Sequence, residues 1–279
     1  MPVKTALPGS VLLALAVGLG ALAAEPGAAD APPAAHKLVI RPAETKQWEA
    51  SLADVHAVLA SAAGELWRFF PEREMPPILV EPKGGPITIF QRGPKGEYRV
   101  RLATGKTFWC QYAYQFAHEF CHILCNFREG DKANKWFEES LCELASIFAI
   151  RAMARSWQTQ PPYPNWRDFS KSLQSYADDL VKQGQLPQGT TLPDWLKQNL
   201  PELSKNAGIR EKNRIVSVAL LPLFEKAPEH WEAVQYLNAG DTGGARSFPV
   251  YLADWCAQSP RKHKGFIREI ARLLAVELP

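Results

Sequence analysis

The pentapeptide His118-Glu119-Phe120-Cys121-His122 constrains this chain more than any other segment, because its two histidines are four residues apart in a stretch with helical periodicity. On a helix, residues four apart project from the same face, so both imidazoles can reach one metal ion. Glu119 projects about 100° from His118 and is not expected as a ligand. The pattern therefore predicts a metal site in which Glu119 acts as general base on a metal-bound water.

The third protein ligand has to come from another part of the chain. The pattern H-E-x-x-H-x-x-G-x-x-H is excluded, because Cys125 and Arg128 stand where the glycine and the third histidine would be. Residues 135–155 form a second predicted helix after a short turn. Three carboxylates on this helix are the candidates: Glu138, Glu139 and Glu143.

Residues 109–150 resemble the gluzincin metallopeptidases, the superfamily of thermolysin, through the motif helix and through Trp136 three residues before Glu139. In that superfamily a glutamate on the following helix completes a zinc site. The resemblance implies that Glu139 is the third zinc ligand beside His118 and His122. Thermolysin-like members also carry an acidic residue four positions later, which implies that Glu143 orients His118 through a hydrogen bond.

Several alternatives to this ligand set stay open. Only 16 residues (123–138) separate His122 from Glu139, fewer than is usual in this superfamily. Glu143 is the alternative ligand, and Glu138 is a weaker one because it faces about 100° away from Glu139. A closed structural site with Cys125 as fourth ligand is a further possibility, as is a solvated acidic helix face without a metal.

The order of the predicted elements indicates an α+β fold. These elements are a helix over 45–70, strands over 78–80, 86–91 and 97–103, the helix pair 107–127 and 135–155, and a helical region over 166–279. The architecture that the resemblance implies is zincin-like, with an N-terminal helix, a small antiparallel sheet, an active-site helix pair and a helical C-terminal lobe. In zincins an edge strand just before the motif helix pairs with an extended peptide, and the strand 97–103 has this place. An ordinary edge protected by Arg99 and Arg101 is equally consistent with the sequence.

The N-terminus is typical of a secretory signal peptide over residues 1–24, with Lys4, an apolar stretch from Val11 to Gly20 and small residues at the cleavage site. Residues 25–44 are expected to be a flexible Ala/Pro-rich tether, and residues 45–279 the zincin-like metallopeptidase domain. We therefore expect an exported protein, periplasmic or secreted, with no stable membrane span in the mature chain.

Charge and cysteine content limit the partners. The formal net charge of +3, without a basic run, gives no indication of nucleic-acid binding, so the expected partner is a peptide or protein substrate. The oligomeric state is left open. Of the five cysteines, Cys121, Cys125 and Cys142 are expected to be buried thiols, unless Cys142 forms a disulfide with Cys121 or Cys125 and links the two helices.

The function that these patterns predict is an exported zinc peptidase, in which a metal-bound water activated by Glu119 hydrolyses a peptide bond. A catalytically silent zincin-like domain that binds a peptide or protein partner is the alternative, and a hydrolase of non-peptide amides is a third hypothesis. A donor to the developing oxyanion is also required. The candidates are His230, Tyr236, Tyr251 and Arg214, and the sequence does not rank them.

Overall fold

The computed structural model describes residues 38–240 and 246–279, which form an α+β fold. Within these ranges the α-helices are α1 (Leu52–Trp67), α2 (Trp109–Leu124), α3 (Lys135–Ser156), α4 (Phe169–Gln183), α5 (Leu192–Leu203), α6 (Arg210–Lys226), α7 (Phe248–Gln258) and α8 (Arg261–Leu273). Three short 3₁₀ helices cover Lys46–Trp48, Pro164–Trp166 and Pro228–Tyr236. The expected signal peptide and residues 25–37 of the expected tether lie outside the described residues.

A four-stranded mixed sheet lies beside the helices, with strands β1 (Ile40–Pro42), β2 (Ile78–Pro82), β3 (Ile87–Ile89) and β4 (Tyr98–Leu102) in the order β1-β2-β4-β3. β1 and β4 both run parallel to β2, and β3 runs antiparallel to β4. The prediction of a wholly antiparallel sheet is therefore wrong. The chain passes through β3 before it returns as β4, and this longer excursion lets β2 and β4 pair in parallel.

Two further predictions about the sheet are corrected by this topology. The end of the expected tether, Ile40–Pro42, is a strand, and it was too short to show strand periodicity. The strand 97–103 is not an edge, because β4 lies between β2 and β3. Arg99 and Arg101 instead contact Glu81 of β2, at 3.0 and 3.6 Å from its Oε2. The edge strand on the side of the motif helix is β3.

The core that positions the site is the pair α2 and α3. Helix α2 packs on α1 and β4, whereas α3 lies against α2, α4 and α6 and is buried along most of its length. Three contacts show that the pair is antiparallel: Tyr114 with Glu143, His118 with Glu139, and His122 with Glu138. In the part of the chain that the structure describes, no helix has the length and apolar character needed to cross a bilayer.

Candidate metal centre

A tightly held turn brings α3 back along α2. The backbone of Asn126 and Phe127 is left-handed, with φ of 76° and 44°, so the chain leaves the end of α2 at a sharp angle. The buried Asp131 then accepts hydrogen bonds from the backbone N–H groups of Ala133 and Asn134, at 3.0 and 3.2 Å, where α3 begins. This local geometry explains why only 16 residues between His122 and Glu139 suffice to bring them together.

The structure brings together three of the predicted ligands. Oε2 of Glu139 lies 3.2 Å from Nε2 of His118 and 3.6 Å from Nε2 of His122. Zinc bonds of about 2.0–2.1 Å at tetrahedral angles separate neighbouring nitrogen and oxygen ligands by about 3.3 Å. Both distances are close to those between ligands of one ion, and the shorter one is also that of a hydrogen bond. The side chains of His118 and Glu139 are 16% and 19% exposed, so solvent reaches this group.

Hydrogen bonds set the protonation of the group. Burial by itself raises the pKa of Glu139, but its hydrogen bonds to His118 and His122 outweigh burial and hold that pKa well below its usual value. Burial lowers the pKa of His122, whereas its bonds to Glu138 and Glu139 raise it well above the usual value. A metal ion on Nε2 of His122 would take the place of a proton, so metal binding there would release protons.

Glu138 has a role that the sequence did not reveal. Its Oε1 lies 2.7 Å from Nδ1 of His122, and its Oε2 accepts a hydrogen bond of 2.9 Å from Nδ2 of Asn238. A carboxylate on Nδ1 fixes the ring orientation and leaves Nε2 free for a ligand bond. Glu138 projects about 100° away from Glu139 on α3, which made it a weak candidate for a ligand. The same difference in direction places it at Nδ1 of His122, whereas Glu139 lies near Nε2.

Glu143 does not have the predicted role. Its two oxygens accept hydrogen bonds from the Tyr114 hydroxyl and from Nε of Arg214, the latter at 2.6 Å, so the expected bond to His118 is not made. The reason is the antiparallel packing, because one turn beyond Glu139 the facing residue on α2 is Tyr114. Glu143 is fully buried, and its charge is balanced by Arg214.

The expected general base, Glu119, is oriented by strand β3. The hydroxyl of Thr88 lies 2.9 Å from Oε2 and 2.8 Å from the backbone oxygen of Glu119. This hydroxyl has one proton, which it shares between the two acceptors, and Oε1 has no partner within the described residues. Glu119 is only 4% exposed, so its carboxylate is buried beside β3. No signal in the sequence indicated Thr88.

The cysteines next to the site are thiols. Sγ of Cys121 lies 4.0 Å from Sγ of Cys125, so the thiol proposed as a fourth ligand from α2 contacts its neighbour on the same helix. The thiol that lies near the imidazoles is that of Cys142: its Sγ and one ring nitrogen each of His118 and His122 are within 4.8 Å of one another. The spacing of three residues between Glu139 and Cys142 was the available signal, since such residues are neighbours on a helix.

Three of the four candidate oxyanion donors form hydrogen bonds with other residues. These pairs are Arg214 with Gln183, Tyr251 with Asn238, and His230 with His263. Tyr251 is linked to His122 indirectly, through hydrogen bonds that pass from Tyr251 to Asn238, from Asn238 to Glu138 and from Glu138 to His122. The structure therefore does not select a donor among the four.

Asn238 is expected to support metal binding through Glu138. Replacement by alanine removes the hydrogen bond to Oε2 of Glu138, so the orientation of His122 loosens, and we expect metal affinity to fall about 10- to 100-fold. Titration of the metal-loaded protein with a chelator measures this change. Asn199→Ala, which removes a bond to the Trp195 carbonyl on the distant α5, is the matched control. Unchanged affinity in a folded Asn238→Ala protein would contradict the role.

Compared with known protein families, curated proteins and solved structures, the chain shows no significant match. The functional argument therefore depends on the geometry of the residues described above.

Proposed function

We propose that this protein is a zinc-dependent peptidase with a gluzincin-like arrangement of its active site. The observation that supports the proposal best is the single Glu139 oxygen near Nε2 of both His118 and His122, at the separations expected around a zinc ion. A second support is the position of Glu119 on the same helix as the histidines, with its carboxylate oriented by Thr88. The mixed sheet and the helix pair are consistent with a zincin-like fold.

The proposed chemistry divides between the ion and the chain. Bound zinc lowers the pKa of a bound water towards about 7 and polarises a carbonyl. The Glu119 carboxylate accepts a proton from the attacking water and returns it to the leaving amine. Because the Thr88 hydroxyl donates to Oε2, the proposal assigns the transferred proton to Oε1. Glu138 keeps the His122 ring in the orientation that binding requires.

The position of β3 supports a peptide as the substrate. This strand forms the edge of the sheet, and its Thr88 contacts Glu119, so a peptide added to that edge would run alongside the proposed base. Ile87 on the same strand is 48% exposed, which leaves an apolar side chain at the edge. Pairing with a peptide was one of two equally weighted interpretations of the strand 97–103, and the proposal assigns it to β3. The proposal also includes export of the protein to the periplasm or the medium.

The second candidate is a zincin-like domain that binds a peptide or protein partner without catalysis. One observation favours it, namely the thiol of Cys142 near both imidazoles. Structural zinc sites have four protein ligands, often including cysteine, whereas catalytic sites keep one position for water. If Cys142 binds the ion permanently, the protein holds zinc but does not hydrolyse peptides.

Metal analysis together with a peptide library tests the proposal. The purified protein is expected to contain about one zinc per chain and to cleave peptides, and His122→Ala is expected to lose both properties because one ligand is removed. His56→Ala, which changes an exposed histidine of α1, is the matched control and should keep both. Zinc without cleavage of any peptide would favour the second candidate, and a protein without metal would exclude the peptidase.

A further inference from the structure

A fourth potential ligand lies on the buried side of the histidine pair. Cys142 is fully buried, and its Sγ lies within 4.8 Å of a ring nitrogen of His118 and of His122. It is one turn beyond Glu139 on α3, so both residues face the same part of α2. Because α3 is buried along most of its length, the backbone that carries this thiol is fixed by packing.

The distances are close to those of a ligand set. A zinc–sulfur bond of about 2.3 Å and zinc–nitrogen bonds of about 2.0–2.1 Å separate tetrahedral sulfur and nitrogen ligands by about 3.5 Å. The ligand atoms of Cys142 and the two histidines lie within 4.8 Å of one another, so no pair exceeds the bonded separation by more than about 1.3 Å, a shift within reach of side-chain rotation. Cys121 and Cys125 lie 4.0 Å apart at their sulfur atoms and both hydrogen-bond the Cys142 thiol, but of the three thiols only that of Cys142 converges with the two imidazoles.

We propose that Cys142 is a fourth protein ligand of the metal ion in the resting protein, an inference that rests on the metal site of the proposed function. Binding is an exchange in which the thiol gives its proton to solvent and the sulfur forms the bond to the ion. The sulfur then stands in the position that water would take, so catalysis requires the thiolate to leave or the ion to accept a fifth ligand. A thiolate also favours zinc over magnesium, calcium or manganese.

Cobalt(II) substitution tests the sulfur bond directly. The cobalt-loaded wild-type protein is expected to show a sulfur-to-cobalt charge-transfer band in the near ultraviolet. Cys142→Ala is expected to lose this band and to bind zinc at least about 100-fold more weakly, since even residues that only orient ligands contribute 10- to 100-fold. Cys125→Ala, which removes a buried thiol from the same cluster, is the matched control and should keep the band.

The outcomes separate this inference from the proposed peptidase activity. Absence of the band in the wild type, or its persistence in Cys142→Ala, overturns the sulfur ligand. Peptide turnover is measured in parallel and bears on the peptidase proposal alone. A band without turnover leaves Cys142 as a ligand of a silent domain, and turnover without a band leaves a peptidase with an open site. If Cys142→Ala fails to fold, Cys142→Ser gives the same spectroscopic test, because oxygen produces no such band.

Discussion

Replacement of Glu119 by glutamine is expected to reduce peptide hydrolysis about 100- to 10,000-fold, the usual contribution of a positioned general base. The amide has nearly the shape of the carboxylate, and its oxygen can still accept the hydrogen bond from Thr88, but it cannot accept a proton at neutral pH. The metal content should not change, since Glu119 is not among the predicted ligands. Steady-state cleavage of a peptide and zinc analysis of the same preparation check both expectations.

A suitable control for this experiment is Glu129→Gln, which makes the same chemical change at an exposed position of the turn between α2 and α3. Its activity should remain close to that of the wild type. Full activity in Glu119→Gln would show that another group takes the proton. Loss of zinc from Glu119→Gln would show that the residue acts as a ligand or that the helix pair has moved.

The sequence predicted the helix that carries both histidines and their common direction, which depend on local geometry alone. His118 and His122 face the same way because they are four residues apart on a helix, and this holds in any tertiary context. The approach of Glu139 required a second helix packed alongside, which only the resemblance indicated. The structure places Glu139 within 3.2 and 3.6 Å of the two imidazoles, and the role of Glu139 as a zinc ligand stays a prediction.

The part that the sequence did not predict depends on contacts between distant segments. Thr88 is 31 positions before Glu119, and Asn238 is 100 positions after Glu138. Neither residue has a local pattern that identifies its partner. The same reason explains the error for Glu143, since its spacing from Glu139 was correct but the facing residue depends on how the two helices are aligned.

The sheet shows the corresponding limit for the fold. Alternation of apolar and charged residues predicted the strand that became β4, because successive residues of a strand point to opposite faces. It does not report the neighbours of that strand, so the parallel pairing with β2 and the internal position of β4 were missed. The pairing of β4 matters for the proposed function, because it determines that β3 is the edge strand beside Glu119.

The choice between two carboxylates of α3 leads to the second large effect. Glu139→Gln removes the charged oxygen that lies near both imidazoles, and we expect zinc affinity to fall at least about 100-fold, with peptide hydrolysis lost as the zinc dissociates.

Glu143→Gln is the matched variant and should keep the zinc. It should lower the free energy of unfolding by about 1–3 kcal/mol, because Arg214 loses its charged partner but keeps its bonds to Gln183 and Tyr114. Chelator competition measures the first effect and urea unfolding the second. The reverse pattern, with zinc kept by Glu139→Gln and lost from Glu143→Gln, would assign the ligand to Glu143 and contradict the geometry, in which the Glu143 oxygens are held by Tyr114 and Arg214.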